Sequence, residues 1–221
     1  MEKFLVFHTR YKDLQLGYFE GQNLVELYTL DSIKVSKCLL FTVNTLCDKF
    51  NLSLKDMSFL AAHTGPSPYT TLRVVLSTLN GIHYSTGTPL VGVNGLKSFL
   101  KHLETSSINV VLLNAFGNDL YYGISTSTLS APFFGCKNVE LLLHEIARDF
   151  QSTINFWGNG AVLYKDKIHQ FLGTRAKIIS IDGPTLSHDT EIVPIQFLGE
   201  DALYKWRNKE TKQELFPVYL K

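Results

Sequence analysis

The same order of predicted elements occurs twice along the 221 residues of this chain. Each half opens with two short apolar runs on either side of turn residues, a pattern typical of two strands joined in a hairpin. The first hairpin begins at Phe4 and the second near Val110. After each hairpin, runs of strand length alternate with segments of helical periodicity. This order predicts two similar α/β lobes with mixed β-sheets and flanking helices, at residues 1–105 and 106–221.

The bounds of the elements follow from the apolar pattern and from the turn residues between runs. In the first lobe we predict strands at residues 4–7, 14–19, 24–30, 57–62 and 89–93, and helices at 32–50, 71–84 and 96–103. In the second lobe we predict strands at 110–113, 120–125 and near 154, a turn at 158–161, and helices at 139–150 and 165–172. After these we predict a loop at 186–191, a charged helix at 201–213 and an apolar tail at 216–220 that docks against the body of the protein.

Composition and charge exclude several classes of protein. Hydrophobic residues make up 45% of the chain, which is enough to fill a buried core. The net charge of +1 excludes a nucleic-acid-binding protein that works by charge alone, but not one that reaches nucleic acid through a partner. No apolar run approaches the roughly 18 residues of a membrane span, and the run after Met1 is too short for a signal peptide. We therefore expect a cytoplasmic protein that does not bind membranes.

No motif in the chain predicts a catalytic centre, a cofactor site or a metal site. The seven histidines include no HxxxH or HExxH pair, and the three cysteines form no CxxC pair. The sequence also lacks a GxSxG nucleophile motif, a Walker-type phosphate loop and a GxGxxG loop. We therefore predict no catalytic residue, no metal ligand and no cofactor. Whether residual nucleotide binds between the lobes stays open.

The segment from Gly65 to Arg73 places a stiff turn directly before a predicted helix. Thr70 or Thr71 is able to cap that helix. Because a helix N-terminus offers free N–H groups and a positive dipole end, this segment suits an anion. The alternative is a well-capped connection from strand to helix with no ligand.

Helical periodicity assigns a core face to each of the first two helices. On the first helix this face comprises Val35, Leu39, Leu40, Val43, Leu46, Cys47 and Phe50. On the second helix it comprises Leu72, Val75, Leu76, Leu79 and Ile82. The residues on the opposite faces should therefore meet solvent or a partner.

Those opposite faces combine an exposed aromatic residue with small residues. Phe41 lies among polar residues, and Gly81 lies inside the second helix, where glycine costs up to about 1 kcal/mol relative to Ala. Close approach of a partner helix would explain both features. The alternatives are an incidental exposed Phe and a glycine that caps the helix end. We predict a partner interface formed by Cys38, Phe41, Val74, Ser77, Thr78 and Gly81.

Four segments, in order along nearly the whole chain, carry a family resemblance. From Met57 to Leu96 the chain has an apolar strand, the loop Gly-Pro-Ser-Pro-Tyr-Thr-Thr-Leu-Arg, a helix with small residues, and then Pro-Leu-Val-Gly-Val-Asn-Gly-Leu. The other three segments are the run from Leu113 to Tyr121, the glycine turn at 158–161 and the ending at 217–221. Together these segments resemble the TsaB (YeaZ) family of accessory proteins in tRNA modification.

The resemblance implies a duplicated actin-like, ribonuclease H-like fold, but four positions depart from the family pattern. Ser67 and Thr71 replace two family glycines, and the family's strand-end acids are replaced by His8 and Asn114. In actin-like ATPases, acids of this kind hold the magnesium ion of a nucleotide. The departures therefore imply a chain that does not hydrolyse ATP by the usual route.

The resemblance also implies a function and partners. It implies a non-catalytic subunit that binds and organises a TsaD-like catalytic subunit, which forms threonylcarbamoyladenosine on tRNA next to the anticodon. A TsaE-like ATPase would join the assembly, the chain would form a homodimer when alone, and tRNA would be reached indirectly through the complex. The alternatives are a diverged actin-like ATPase, sugar kinase or glycopeptidase-like hydrolase, and a self-associating structural protein with no tRNA role.

Overall fold

The computed structural model describes residues 1–104, 106–128, 131–179 and 193–220. The chain divides into two compact units, each with its own five-stranded sheet. The first unit comprises Met1–Gly95 with Ile195–Val218, and the second comprises Leu96–Pro194 with Tyr219–Lys221. Two mixed sheets with flanking helices confirm the predicted fold class.

The sheet of the first unit joins a meander of antiparallel strands to two parallel strands. Its strands are β1 (Lys3–Thr9), β2 (Asp13–Glu20), β3 (Asn23–Asp31), β4 (Phe59–His63) and β5 (Leu90–Val93). They lie in the order β3-β2-β1-β4-β5, with β4 and β5 parallel to β1. The helices α1 (Val35–Lys49) and α2 (Tyr69–Thr86) connect β3 to β4 and β4 to β5.

Strand β1 is the centre of this sheet and is buried on both faces. On one face Leu5 and Phe7 belong to the core cluster that also holds the buried sides of α1 and α2. On the other face the ring of Phe4 stacks on Phe19 and Phe59, at centroid distances of 5.2 and 4.4 Å. The strand therefore needs a helical layer on each side, since a continuous apolar strand cannot meet water on either face.

The second covering layer of the first sheet is a helix from far along the sequence. Helix α7 (Ile195–Arg207) contacts strands β1, β2, β4 and β5, and its Trp206 ring lies 5.2 Å from the ring of Phe59. Gly199 is the point of closest approach, because a Cβ atom there would lie 2.5 Å from the ring of Phe19.

The segment after α7 returns to the helical layer on the other face. The side chain of Asn80 on α2 makes two hydrogen bonds to the backbone of Leu215. Its amide oxygen accepts from the Leu215 N–H at 2.9 Å, and its amide nitrogen donates to the Leu215 carbonyl at 3.0 Å. The Leu215 side chain is buried, and the Val218 N–H donates to the carbonyl of Thr64. These bonds confirm that the tail docks, although Phe216 stays exposed.

The second unit repeats the architecture of the first. Its strands are β6 (Ile108–Asn114), β7 (Asp119–Ser125), β8 (Phe133–Asn138), β9 (Ile154–Trp157) and β10 (Ala176–Ile178), in the order β10-β9-β6-β7-β8. Its helices are α3 (Gly95–Lys101), where the chain leaves the first unit, α4 (Val139–Asp149), α5 (Asn159–Leu163) and α6 (Lys165–Leu172). Strands β6, β7 and β8 form an antiparallel meander, and β9 and β10 run parallel to β6.

Several bounds differ from those predicted. The contiguous division at residues 1–105 and 106–221 differs from the observed units, because α7 belongs with the first sheet. The helix predicted at 201–213 was placed too late, since α7 begins at Ile195 and ends at Arg207. Strand β8 was not predicted, and the predicted turn at 158–161 is the start of α5. The predicted loop at 186–191 lies outside the described residues.

The close contact of α7 with β2 gives a stability prediction. Gly199→Ala should lower the free energy of unfolding by about 1–3 kcal/mol, because the added methyl group displaces a buried, stacked ring. Gly81→Ala is the matched control, since none of the residues that the structure describes lies within 4 Å of its Cβ position. It should raise the free energy of unfolding by up to about 1 kcal/mol through helix propensity. Denaturant unfolding measures both, and equal stabilities for the two variants would contradict this packing.

Candidate functional site

Helix α1 exposes large apolar residues among the polar residues of its outward side. Phe41 is 73% exposed and Cys38 is half-buried, in keeping with their predicted outward positions. Leu40, predicted to lie in the core, is instead 55% exposed, so that prediction was wrong. The core side of the helix is centred on Val35, Leu39, Val43 and Leu46, and Leu40 lies beyond its border, while Thr42 is buried in its place. The Thr42 hydroxyl donates to the carbonyl of Cys38 at 3.0 Å, which makes burial of this polar group inexpensive.

Helix α2 buries the predicted core stripe and leaves Gly81 open. Ser77 and Gly81 are exposed, and a Cβ atom at Gly81 would meet no atom of the described part of the chain within 4 Å. Gly87, with a φ of 75°, ends the helix, so the alternative that Gly81 is the C-terminal cap is wrong. Val74 and Thr78 are half-buried, and Val74 packs in part against the core.

The outward sides of α1 and α2 lie on the same face of the first unit. Both helices bury their other sides in one core cluster, and they contact each other. The six predicted interface residues, here called the partner surface, therefore share one helical layer. Sequence reasoning missed two large exposed residues of this layer: Tyr84 at 93% and Ile33 at 84% exposed. The helical position of Tyr84, opposite the α2 core stripe, is a signal that could have found it.

The loop before α2 is held by one backbone carbonyl at the end of β1. The Thr9 carbonyl accepts from the Ser67 hydroxyl at 2.9 Å and contacts Nδ1 of His63 at 3.1 Å. Pro68 is the N-cap residue of α2 and makes no side-chain cap bond. The predicted capping by Thr70 or Thr71 is therefore wrong, since the helix begins at Tyr69 and both threonines lie in its first turn. Ser67, at a position where the resembled family has glycine, thus anchors the loop to the sheet.

A pair of buried histidines occupies the carboxyl ends of β1 and β4. His8 and His63 are almost fully buried, and their rings meet edge to face with centroids 5.2 Å apart. The backbone of Gly95 lies against the His63 ring so closely that a side chain would not fit. Because its Nδ1 faces a carbonyl, His63 carries its proton on that nitrogen.

Burial keeps both rings neutral. It lowers the pKa of His63 to about 4, against the opposing effect of the Thr9 and Gly65 carbonyls. Burial also lowers the pKa of His8 well below its usual range, and His63 and Arg10 lower it further. Gln15, the cross-strand neighbour of His8, opposes this lowering of the pKa. Among the described residues, neither His8 ring nitrogen has a hydrogen-bond partner. The carboxyl end of β1 therefore holds an enclosed, uncharged ring at position 8.

Asn114 at the corresponding end of β6 is also engaged locally. Its side-chain oxygen accepts from the Phe116 N–H at 2.9 Å, and its backbone N–H donates to the side chain of Asn159 at 2.9 Å. Phe116 has a φ of 66°, which is rare for a residue with a large side chain. Asn114 thus stabilises the tip of the β6–β7 hairpin and its junction with α5.

Within residues 1–104, 106–128, 131–179 and 193–220, no three His, Cys, Asp or Glu side chains come close enough together to share a metal ion. Over the same residues, no helix combines the length and the apolar character needed to cross a bilayer.

The histidine pair predicts a pH dependence of stability. Both native pKa values lie below that of an exposed histidine, about 6.5, so the unfolded chain takes up protons first as the pH falls. The stability contributed by the neutral rings is complete above about pH 6.5 and is lost as the pH falls toward about 4. His8→Leu should reduce this slope by up to about 1.4 kcal/mol per pH unit.

Denaturant unfolding between pH 4 and 8 measures the effect of His8→Leu. His144→Leu is the control, because His144 is exposed and meets water in both states. An unchanged slope in His8→Leu, or an equal change in both variants, would contradict this account of the pair.

Comparison with known proteins supplies a family context. A family model described as TsaD: tRNA N6-adenosine threonylcarbamoyltransferase matches residues 32–130. No curated protein matches the sequence at a significant level.

Solved structures with the same fold extend the comparison to the whole chain. YeaZ from Pseudomonas aeruginosa has a TM-score of 0.69 and 16% identity over 100% of both chains. An uncharacterized protein described as similar to peptidase YeaZ from the same organism has a TM-score of 0.68 and 16% identity, also over 100% of both. Lmo2764 from Listeria monocytogenes, a putative N-acetylmannosamine kinase, has a TM-score of 0.51 and 14% identity over 94% of this chain and 99% of its own. Over its whole length, the chain therefore has the duplicated actin-like fold of the YeaZ structures.

Proposed function

We propose that this chain is a non-catalytic partner subunit that binds and organises a TsaD-like catalytic subunit. The complex forms threonylcarbamoyladenosine on tRNA next to the anticodon, in the cytoplasm. A TsaE-like ATPase joins the assembly, and tRNA reaches this chain through the complex. In the absence of its partner the chain associates with a second copy of itself. It needs no cofactor of its own.

The observation that carries this proposal is an outward helical layer within the segment that matches the TsaD family model. Residues 32–130 include all of α1 and α2, and hence the whole partner surface. Association is favoured when a partner removes a side chain as large and apolar as Phe41 from water, because burial of apolar surface lowers the free energy. On α2, the absence of a side chain at Gly81 leaves room for the close approach of another helix backbone. These features support association as the role of this layer.

The strand ends support a role without catalysis. A magnesium site of the actin-like type needs carboxylates at these ends, where they can bind the cation. Position 8 instead holds a buried neutral ring, and Asn114 holds the hairpin tip by a backbone hydrogen bond. Both residues therefore stabilise the fold at the places where the resembled ATPases have ligands.

The second candidate is a diverged actin-like ATPase, sugar kinase or glycopeptidase-like hydrolase. The fold shared with a putative N-acetylmannosamine kinase is the observation that favours it, and a shared fold by itself does not specify a reaction. Activity of the isolated chain separates this candidate from the partner subunit.

The partner surface predicts the effect of two substitutions on capture of the TsaD-like protein. Phe41→Asp places a charge where an apolar contact is expected and should weaken association by about 2 kcal/mol or more. Gly81→Leu fills the open space on α2 and should weaken association while leaving the fold intact. Pull-down from cell extract with identification of the bound proteins, followed by a binding titration with the purified partner, measures both effects.

Leu141→Asp is the matched control for these variants. Leu141 is an apolar residue on α4 of the second unit that is 62% exposed, so its substitution should leave capture at the wild-type level. If Phe41→Asp and Gly81→Leu fold normally and still bind at wild-type strength, the interface lies elsewhere.

The strand ends predict that the isolated chain is catalytically silent. The purified protein should show no ATPase, kinase or peptidase turnover, and should form no modified adenosine without its partner. Adding the TsaD-like subunit, the TsaE-like ATPase, tRNA and the threonylcarbamoyl donor should restore formation of the modified base. Turnover by the isolated chain that is lost in Ser67→Ala would favour the enzyme alternative.

A further inference from the structure

The second sheet ends at a strand that is paired on one side. Strand β8 pairs antiparallel with β7, and among the residues that the structure describes it pairs with no other strand. The backbone N–H and C=O groups on the other side of such an edge strand are a template for one more strand. An extended segment of chain can therefore continue the second sheet at β8.

A cavity of about 220 Å³ lies between this edge and helix α4. The apolar side chains that line it come from the strands and from the helix with its end: Ile124, Phe133, Leu142, Ile146 and Phe150. Phe133 is 56% exposed, so part of this apolar lining meets water. Pockets for drug-sized molecules measure roughly 300–1,000 Å³. The cavity is smaller than that and suits one large side chain.

The side chains of β8 explain why space remains beside the edge. Lys137 forms an ion pair with Glu145 of α4 at 2.7 Å, so its face of the strand is turned to the helix. Because side chains alternate along a strand, Phe133 and Gly135 lie on the same face. A Cβ atom at Gly135 would lie 2.8 Å from the Tyr122 hydroxyl oxygen. The middle of β8 therefore carries no side chain of its own toward α4, and the Tyr122 ring lies there.

The charged groups that line the cavity are both acidic. They are Glu145 and Asp149, which lie about one turn apart on α4. Each also forms an ion pair, with Lys137 and Arg148, but among the described residues no cation lines the cavity. The hydrogen bond from Arg148 holds the pKa of Asp149 below its usual range, so this carboxylate is ionised at neutral pH. Since a carboxylate accepts from more than one donor, the cavity favours an occupant that brings a cation.

We propose that the edge of β8 and the cavity beside it, together called the edge groove, bind an extended segment of a partner protein as a sixth strand of the second sheet. One large apolar side chain of the segment fills the cavity. A Lys or Arg two positions away, on the same face of the segment, meets Glu145 or Asp149. Backbone hydrogen bonds to β8 supply affinity, and the cavity supplies specificity.

This inference goes beyond the proposed function. The edge groove belongs to the second unit, whereas the partner surface on α1 and α2 belongs to the first. The two surfaces can therefore be tested separately on the same chain.

Selection from a displayed library of random heptapeptides, with the whole chain as the target, tests the proposal. We expect the selected peptides to share one large apolar residue with a Lys or Arg two positions away. A synthetic peptide of selected sequence should lose binding when alternate backbone amides are N-methylated, because strand addition uses backbone N–H groups. Hydrogen exchange should show amides of β8 becoming protected when this peptide binds.

Three variants locate the binding site, with affinities measured by calorimetric titration. Phe133→Ser should weaken peptide binding about tenfold or more, since it removes the most exposed apolar contact of the edge groove. Asp149→Lys should weaken binding about threefold, and a peptide with Glu in place of its basic residue should then bind this variant better than the wild type. Leu141→Asp is the matched control, because Leu141 is exposed on α4 but does not line the cavity.

The proposal is wrong if the selected peptides share no such pattern, if they bind Phe133→Ser as tightly as the wild type, or if β8 gains no protection. Self-association that is lost in Phe133→Ser would assign the edge groove to a second copy and would also overturn the proposal. Capture of the TsaD-like protein should stay at the wild-type level in Phe133→Ser. Failure of the proposed function and failure of the edge groove are therefore distinguishable.

Discussion

The central strand β1 is buried on both of its faces, and the construction of the first unit follows from this constraint. Leu5 and Phe7 need cover on one side of the sheet, and Phe4 needs cover on the other. The helices that follow β3 and β4 supply only the first layer. The second layer comes from α7, which lies about a hundred residues further along the chain than β5. Because α7 completes this core, the first unit is discontinuous in sequence, and the docked tail at Leu215 runs back along α2.

The part of this fold that the sequence predicts is the part that local apolar periodicity records. The hairpin strands, both long helices of the first unit and the core stripe of α2 follow from apolar spacing, which records which side of an element is buried. Spacing does not record which sheet a helix packs on, so the membership of α7 in the first unit could not be predicted. Strand β8 was missed because Phe-Phe-Gly-Cys-Lys-Asn has no alternation, and it pairs only as the edge of the second sheet.

The strand ends show a second limit of sequence reasoning. Comparison of the sequence with the pattern of the resembled family is enough to find that His8 and Asn114 stand where that family has acids. What the side chains of His8 and Asn114 do instead depends on contacts between residues that are distant in the sequence. His8 contacts His63, which lies 55 positions later in the chain. Asn114 is hydrogen-bonded to Asn159, which lies 45 positions later. Both strand ends thus hold neutral side chains, a buried ring at His8 and an amide at Asn114 that holds the tip of the β6–β7 hairpin.

The outward layer of α1 and α2 has a further consequence if one surface serves both kinds of association. A second copy bound along α1 covers Phe41, so the TsaD-like subunit competes with self-association for the same ring. The apparent affinity for that subunit is then the intrinsic affinity multiplied by the fraction of chains that are not paired. That fraction depends on the concentration of this chain. Self-association that is weak keeps that fraction high and still shields an exposed aromatic side chain from non-specific contacts. Under the proposed function, Phe41 therefore serves both kinds of association, and the concentration of free chains sets how much of the TsaD-like subunit is bound.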